Sequence, residues 1–423
     1  MARQGRKVSR RGFLKGSAAG VAAFTIVPRH VLGGAGRVAP SDTFGATLIG
    51  CGGRGGGTFG DLKGRHKLNT KMLAACDVND QRSARTAAGA NKRQTVKCKT
   101  YRDFRRVVER KDIDVVAIAT PPHWHALISI AAMECGKDVL CEKPMTRFVA
   151  EGRAVAKAEQ RYGRVFQVGT YGREGYARSD TNRLSRKIIL SGLLEKTDAC
   201  YVRRGGFKVK QWAGKIDVPP VPVPDWLDWD MYCGPSPVKP FQPPRIGGTH
   251  RWYWDYEGGG LADMGQHHLM GPAYIFGLDA MHPVAVESSA PPAHPEVSGM
   301  WGWSKLKYAN GFTLVLESGE WGDPSGLRSK GVKLEDLGKD DQEKLAKMPD
   351  PQMEVGFGEA VKTRQKASGN AEVAHHIACL MHLTNVAIRL GRPFKFDPVK
   401  EEAVGDDEAQ RLINQPMRAP WHL

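Results

Sequence analysis

The sequence predicts an α/β fold, with a helix-wound parallel sheet in its first half and a second domain behind it. Three observations carry that prediction. An apolar run, Phe44-Gly-Ala-Thr-Leu-Ile49, leads into Gly50-Cys51-Gly52-Gly53-Arg54-Gly55, and a second run, Lys71-Met-Leu-Ala-Ala-Cys76, ends on Asp77. Strand-like and helix-like segments then alternate as far as Glu142-Lys143-Pro144, which is the pattern of successive βα units. Finally, 423 residues exceed one ordinary domain and fit two with a short leader.

Composition narrows the function classes. The 41% hydrophobic and 25% charged residues are those of a globular chain with a real core. Gly (49) and Pro (26) are frequent but dispersed, so tight loops are expected and low complexity is not. The net charge is +17, but eight cations and no acid fall in residues 1–37, leaving +9 for the remainder. No basic block interleaved with aromatics stands out, so a nucleic-acid partner is not expected. Eight cysteines show no CxxC or paired spacing, which argues against a disulfide framework.

The leader reads Ser9-Arg10-Arg11-Gly12-Phe13-Leu14-Lys15, followed by a small, weakly apolar run from Gly16 to Val27. That run is too short to span a bilayer well, so no stable transmembrane segment is expected. The paired arginines match the twin-arginine export signal. Residues 1–40 are therefore set aside as a signal segment, and the protein is expected to be exported, folded, to the periplasm or otherwise beyond the inner membrane by that route.

The glycine loop fits G-x-G-x-x-G, a pattern that is weak alone but stronger between a strand and a helix-compatible segment. Its glycines permit a tight turn and bring backbone amides to a pyrophosphate at a helix N-terminus. Asp77 stands near the spacing of the acid that holds the adenosine ribose, so a Rossmann domain binding NAD is expected over residues 41–165. Arg82, five residues on, keeps NADP open. Helices are expected at 80–90 and 101–110, and strands at 96–99, 114–120 and 137–142. Thr120 and Lys143 fall at carboxyl ends of strands, where such sheets bind ligands. Candidate cofactor-binding residues are Gly50, Gly52, Gly53, Arg54, Gly55, Asp77, Thr120, His125, Glu142 and Lys143.

At Glu142-Lys143-Pro144 the chain resembles the glucose-fructose oxidoreductase / inositol dehydrogenase / rhizopine catabolism (Gfo/Idh/MocA) family, most of all its exported branch. Ala119-Thr-Pro-Pro-His-Trp-His125, Gly258-Gly-Gly-Leu-Ala-Asp-Met-Gly-Gln-His267 and the tail from Phe396-Asp-Pro to Ala419-Pro-Trp-His-Leu423 carry the same resemblance. It implies a second α/β domain at 166–395, with an open, mostly antiparallel sheet that mediates homo-oligomerisation. A tail at 396–423 is expected to pack back on the body. It further implies hydride transfer between a nicotinamide cofactor and a sugar, cyclitol or glycoside hydroxyl; because free NAD is scarce outside the inner membrane, that cofactor is expected to be tightly bound. Two alternatives remain open: glycoside cleavage through transient oxidation, and a non-catalytic carbohydrate-binding or assembly protein.

Lys143, Asp263 and His267 are the candidate catalytic residues. Asp263 and His267 are four apart and share one helix face. The resemblance makes His267 the acid/base partner of Lys143, with Asp263 orienting it or the substrate. No third ligand stands at metal-binding spacing from this pair, so no metal site is expected. Met270 departs from the family pattern, which commonly carries an acid there.

The stretch Gln211–Tyr256 is rich in Pro and Trp (Trp212, Trp226, Trp229, Trp252, Trp254). It reads as a packed loop or as aromatic faces for sugar rings, with Arg251 and Asp255 as polar contacts. Strands are expected at 284–288 and 303–317, with Asn310-Gly311 as a hairpin turn. Residues 319–370 read as an irregular surface excursion. His375–Leu390 reads as an amphipathic helix whose His375, His376 and His382 cap or pack.

Overall fold

A computed structural model describes residues 43–170, 173–194, 199–203, 217–318 and 332–423. The twin-arginine segment, Trp212 and residues 319–331 of the expected excursion lie outside the described residues.

The first sheet is built from β1 (Phe44–Ile49), α1 (Gly55–Gly64), β2 (Thr70–Cys76), α2 (Asp80–Asn91), β3 (Lys99–Tyr101), α3 (Arg105–Val108), β4 (Val115–Ile118), α4 (His125–Glu134), β5 (Asp138–Cys141), α5 (Val149–Tyr162) and β6 (Phe166–Val168). Strand order is β3-β2-β1-β4-β5-β6, with every pairing parallel. Both faces are covered by helices, which is why Val115–Ile118 can be a continuous apolar run, fully buried. The order reverses between β1 and β4, opening a crevice at their carboxyl ends.

The second part comprises α6 (Arg173–Arg178), α7 (Asp180–Leu190), β7 (Ala199–Arg203), α8 (Trp229–Cys233), α9 (Gly259–Phe276), β8 (Ala285–Ser289), β9 (Trp303–Lys307), β10 (Thr313–Glu317), α10 (Lys339–Lys347), α11 (Phe357–Thr363), α12 (Ala371–Leu390), β11 (Phe394–Asp397), β12 (Glu402–Ala403) and α13 (Asp407–Ile413). Its sheet runs β12-β11-β8-β9-β10-β7 and is antiparallel except between β10 and β7. The expected α/β fold, with a Rossmann sheet and an open, mostly antiparallel second sheet, is what the structure holds. α12 is buried over most of its length and packs on α5 and β6 of the first layer and on α9 and β8 of the second.

Several local expectations are corrected. The edge strand lies at 99–101, not 96–99, because Ala74–Cys76 pair with Lys99–Tyr101. That pairing also removes Tyr101 from the following helix, and Asp103 accepts from Arg105 N (2.9 Å), so helix begins only at Arg105. β6 extends the first sheet beyond residue 165, and β11 runs through the expected tail boundary at 396. The excursion is not irregular throughout. Phe357, Ala360, Val361 and Ala367 are buried in one cluster with Leu62, Leu68 and strands β1, β2 and β4. That apolar stripe spans barely two turns inside a polar segment, too short to show as periodicity.

Candidate active site

The loops after β1, β2, β4 and β5 converge on a cavity of about 450 Å³, within the usual range for ligand pockets. Gly50 turns the chain at φ +93°, where a Cβ would stand 2.4 Å from the Ala119 carbonyl carbon. Glycine is therefore required for β1 to leave the sheet beside β4. Gly55 N donates to Gly52 O (3.1 Å) and opens α1. Gly52, Gly53 and Arg54 line the cavity, and no heavy atom stands within 4 Å of a Cβ built on Gly53. That open backbone cradle at a helix N-terminus fits a pyrophosphate.

Asp77, on the same wall, accepts from Cys51 N (2.7 Å, Oδ2) and Asn79 N (2.8 Å, Oδ1). It thereby fastens the glycine loop to the end of β2, while burial pushes its carboxyl up from the ordinary carboxylate value. Arg82 and Arg102 also line this end, with Arg102 ion-paired to Asp80.

At the other end, Thr120 reaches the wall with a buried hydroxyl that has no hydrogen-bond partner, an unmet polar group of the kind a ligand satisfies. Glu142 Oε1 accepts from Arg54 Nε (2.8 Å) and Thr58 Oγ1 (2.8 Å), tying the glycine loop to the end of β5. Lys143, on a cis peptide to Pro144, lines the cavity next to it.

Lys143 Nζ donates to Asp263 Oδ1 (2.6 Å) and to the Asp263 carbonyl (2.8 Å). Arg251 Nε reaches the same Oδ1 at 2.7 Å. Two cations therefore hold the buried Asp263 carboxyl below its ordinary value, outweighing the burial that raises it. His267, one turn along α9, is depressed to about 4, first by burial and then by the Lys143 charge. It is a neutral imidazole at neutral pH. The four-residue spacing thus brings Asp263 and His267 to Lys143, although neither lines the cavity itself.

Other candidates sit elsewhere than expected. His125 is buried beneath the cavity rather than on its wall: its Nδ1 faces Pro144 O (2.7 Å) and its Nε2 faces Thr120 O (2.8 Å). It clamps the β4 and β5 loops together. Gly55 also lies off the wall, as the first residue of α1. Asp255 turns away to Lys239 (3.0 Å), while Arg251 does line the cavity. Met270 is fully buried in the core, so the side chain at that position packs rather than facing ligand. The 217–256 loop packs as an aromatic cluster around Trp229, Tyr232, Tyr253 and Tyr256, with Trp229 stacked on Tyr232 at 5.2 Å.

Sequence reading missed His250 and Glu257. Both line the cavity, 3.0 Å apart, and Glu257 Oε1 is buried without a hydrogen-bond partner. The signal was the position of Glu257 directly before Gly258-Gly259-Gly260, where α9 begins.

Residues 44–170 match the model of the oxidoreductase family's NAD-binding Rossmann fold, and residues 179–423 match that of its C-terminal alpha/beta domain. Levoglucosan dehydrogenase of Pseudarthrobacter phenanthrenivorans is 39% identical over 92 residues, 22% of this chain and 23% of the relative. Inositol 2-dehydrogenase of Salmonella paratyphi B is 30% identical over 129 residues, 29% of this chain and 37% of the relative. The chain thus matches well under half of these curated relatives' lengths. A crystal structure of the WlbA dehydrogenase from Bordetella pertussis, in complex with NADH and UDP-GlcNAcA, has a TM-score of 0.52 at 14% identity. That match covers 84% of this chain and 98% of the other, and at such identity it speaks for the fold. With both halves matched by its models, the chain belongs to the Gfo/Idh/MocA oxidoreductase family.

Proposed function

We propose that this protein is an NAD-dependent dehydrogenase that oxidises a carbinol of a sugar, cyclitol or glycoside and reduces the corresponding ketone. The carrying observation is the Lys143–Asp263–Arg251 ion cluster, placed on a cavity that also reaches the glycine loop and Asp77. Gly50, Gly52, Gly53, Arg54 and Asp77 would hold the dinucleotide, and Thr120 and Glu142 would flank its nicotinamide end. Bound NAD supplies the hydride acceptor.

The chain's own residues manage the proton. Lys143 Nζ contacts the substrate hydroxyl, oriented by the Asp263 carboxylate and carbonyl. His267, held neutral, takes the hydroxyl proton as hydride leaves the carbon, while the Lys143 ammonium donates to the oxygen and stabilises its developing negative charge. Arg251 and Glu257 offer hydrogen bonds to neighbouring hydroxyls. Ile49, Ile128 and Trp124 give the cavity part of its apolar lining. The substrate class is also that of the relatives, whose names are levoglucosan and inositol dehydrogenases.

The Arg10-Arg11 leader supports export by the twin-arginine machinery to the periplasm, where free NAD is scarce. We therefore read the cofactor as tightly held and recycled by a second substrate. The open second sheet supports a homo-oligomer.

The test is mass spectrometry and absorbance of acid-released ligand from protein purified without added cofactor. Stoichiometric NAD(H), followed by its reduction with sugars or cyclitols, supports the reading; a chain that is empty and takes up neither NAD nor NADP overturns it. Aglycone release with no net NADH would mark glycoside cleavage instead.

A further inference from the structure

Away from the cavity, four potential ligand side chains meet in the interior. His375 and Cys379 are four apart on α12 and share one face. His282 comes from the turn before β8, and Glu401 from the turn between β11 and β12. The ligand atoms of His282, His375 and Cys379 all lie within 4.8 Å of one another, and all three residues are buried. Glu401 Oε1 is 2.9 Å from His282 Nε2 and 2.8 Å from His375 Nε2. Cys379 Sγ is 3.8 Å from His375 Nε2.

The 3.6 Å between Cys379 Sγ and His375 Nδ1 is that of ligands sharing one ion, whereas the two Glu401 contacts are hydrogen bonds. Nitrogen and oxygen donors at about 2.0–2.2 Å and a thiolate at about 2.3 Å from a tetrahedral zinc stand roughly 3.3–3.6 Å apart. The fold also makes room for the cluster. A Cβ on Gly152 of α5 would lie 2.3 Å from His375 Nδ1, so only glycine lets that ring lie against α5. Three N–H donors, from His282, His375 and Arg153 (2.7 Å), converge on Glu401 Oε1, and His282 Nδ1 is buried with no partner. Arg153 is in turn balanced by Glu372 (2.7 Å).

We propose that His282, His375 and Cys379 form a site for one zinc-class divalent ion that fastens α12 to the turn before β8, each imidazole ligating through Nδ1 while its Nε2–H stays on Glu401. Two imidazoles and one thiolate suit zinc better than calcium or magnesium. Arg153 becomes the outer partner that holds Glu401 in place. The site is distinct from the dehydrogenase centre but mechanically joined to it: Gln266 of α9 donates to Ala374 O (2.9 Å), the residue before His375.

The experiment is elemental mass spectrometry of the tag-free full chain, loaded with zinc and then gel-filtered. One zinc per chain is expected, falling to near zero in Cys379→Ser and His282→Gln while NAD content is unchanged. In a parallel cobalt titration, wild type is expected to develop a near-ultraviolet thiolate-to-cobalt band that Cys379→Ser lacks. The wild-type titration remains decisive should the variants fail to fold. Substoichiometric zinc after loading, absence of that band in wild type, or equal zinc in the folded variants would each overturn the proposal. None of these readouts depends on turnover, so the dehydrogenase reading can fail while this one stands.

Discussion

Lys143 reaches Asp263 twice, through the carboxylate at 2.6 Å and the main-chain carbonyl at 2.8 Å. The double contact joins the end of β5 to the second turn of α9 and fixes where the ammonium points. Both partners are largely buried, with side-chain exposures of 11% and 5%, so neither charge has water to fall back on. Lys143→Met is expected to lower kcat by about 10²–10³-fold, the range for a lost donor to a developing oxyanion, while NAD remains bound. Asp263→Ala strands the ammonium and the Arg251 guanidinium together, and should cost about 3–5 kcal/mol of stability. Paired turnover and denaturation curves check both; normal turnover in Lys143→Met would remove this residue from the chemistry.

Asp77 serves the glycine loop as much as any ribose. Each of its oxygens accepts a backbone N–H, from Cys51 and Asn79, and hydrogen bonds to charged groups are worth about 1.5–3 kcal/mol each. Asp77→Ala should therefore loosen the cradle and raise the NAD Kd by roughly tenfold or more. Losing the carboxylate also removes repulsion against a 2′-phosphate, so the preference for NAD over NADP should shrink. Calorimetric titration with both dinucleotides measures each change, and an unaltered NAD Kd would show that the loop holds its shape without this acid.

The glycine loop, Asp77 and Lys143 were legible because local chain chemistry dictates them: a buried strand, a turn needing glycine, and an acid at the next strand's end. Asp263 and His267 were legible as a pair from their four-residue spacing. His125 was misplaced because a histidine beside a strand end reads the same whether it faces ligand or clamps two carbonyls. Glu257 and His250 escaped because their meeting depends on the long 217–256 loop folding over the sheet. Phe357 and Val361 escaped for a related reason, since a two-turn apolar stripe gains meaning only against the strands it covers.

Acid should destabilise the protein well before most of its carboxylates protonate; Glu159, pushed up to about 7 by burial, works the other way but is outnumbered by the buried imidazoles. Burial lowers His66 to about 4, His267 to about 4 and His382 to about 3, against an unfolded value near 6.5. Between those limits the unfolded chain binds protons that the native chain refuses, so stability falls as pH drops from about 6.5 towards 4. Each imidazole contributes on the order of a few kcal/mol at most. Urea midpoints at pH 7, 6, 5 and 4 should fall steadily, and His382→Gln should flatten the slope. If neutral His267 is the proton acceptor, oxidation should persist to about pH 4–5 rather than fading at 6.5. A flat stability profile above pH 4.5 would mean these imidazoles charge freely.

The C-terminal tail supports the cofactor wall. Trp421 packs edge-on against Trp124 at 4.8 Å and lies 6.3 Å from Phe104, with the Arg105 guanidinium 5.3 Å from its ring. Arg418 donates to Gly234 O (2.9 Å) and Asp230 Oδ1 (2.8 Å), securing the tail to α8. Phe104 and Trp124 line the cavity, as do Met231 and Tyr232 of α8, whose carbonyls accept from Trp124 Nε1, each at 3.1 Å. A change in the tail should therefore be felt as cofactor affinity as well as stability. Trp421→Ala is expected to cost about 1–3 kcal/mol and to weaken NAD binding severalfold, whereas truncation after Asn414 should do both more strongly. Thermal unfolding with and without NAD separates the two effects. A lower Tm with unchanged NAD Kd would show that Trp124 keeps its place through Met231 and Tyr232 alone.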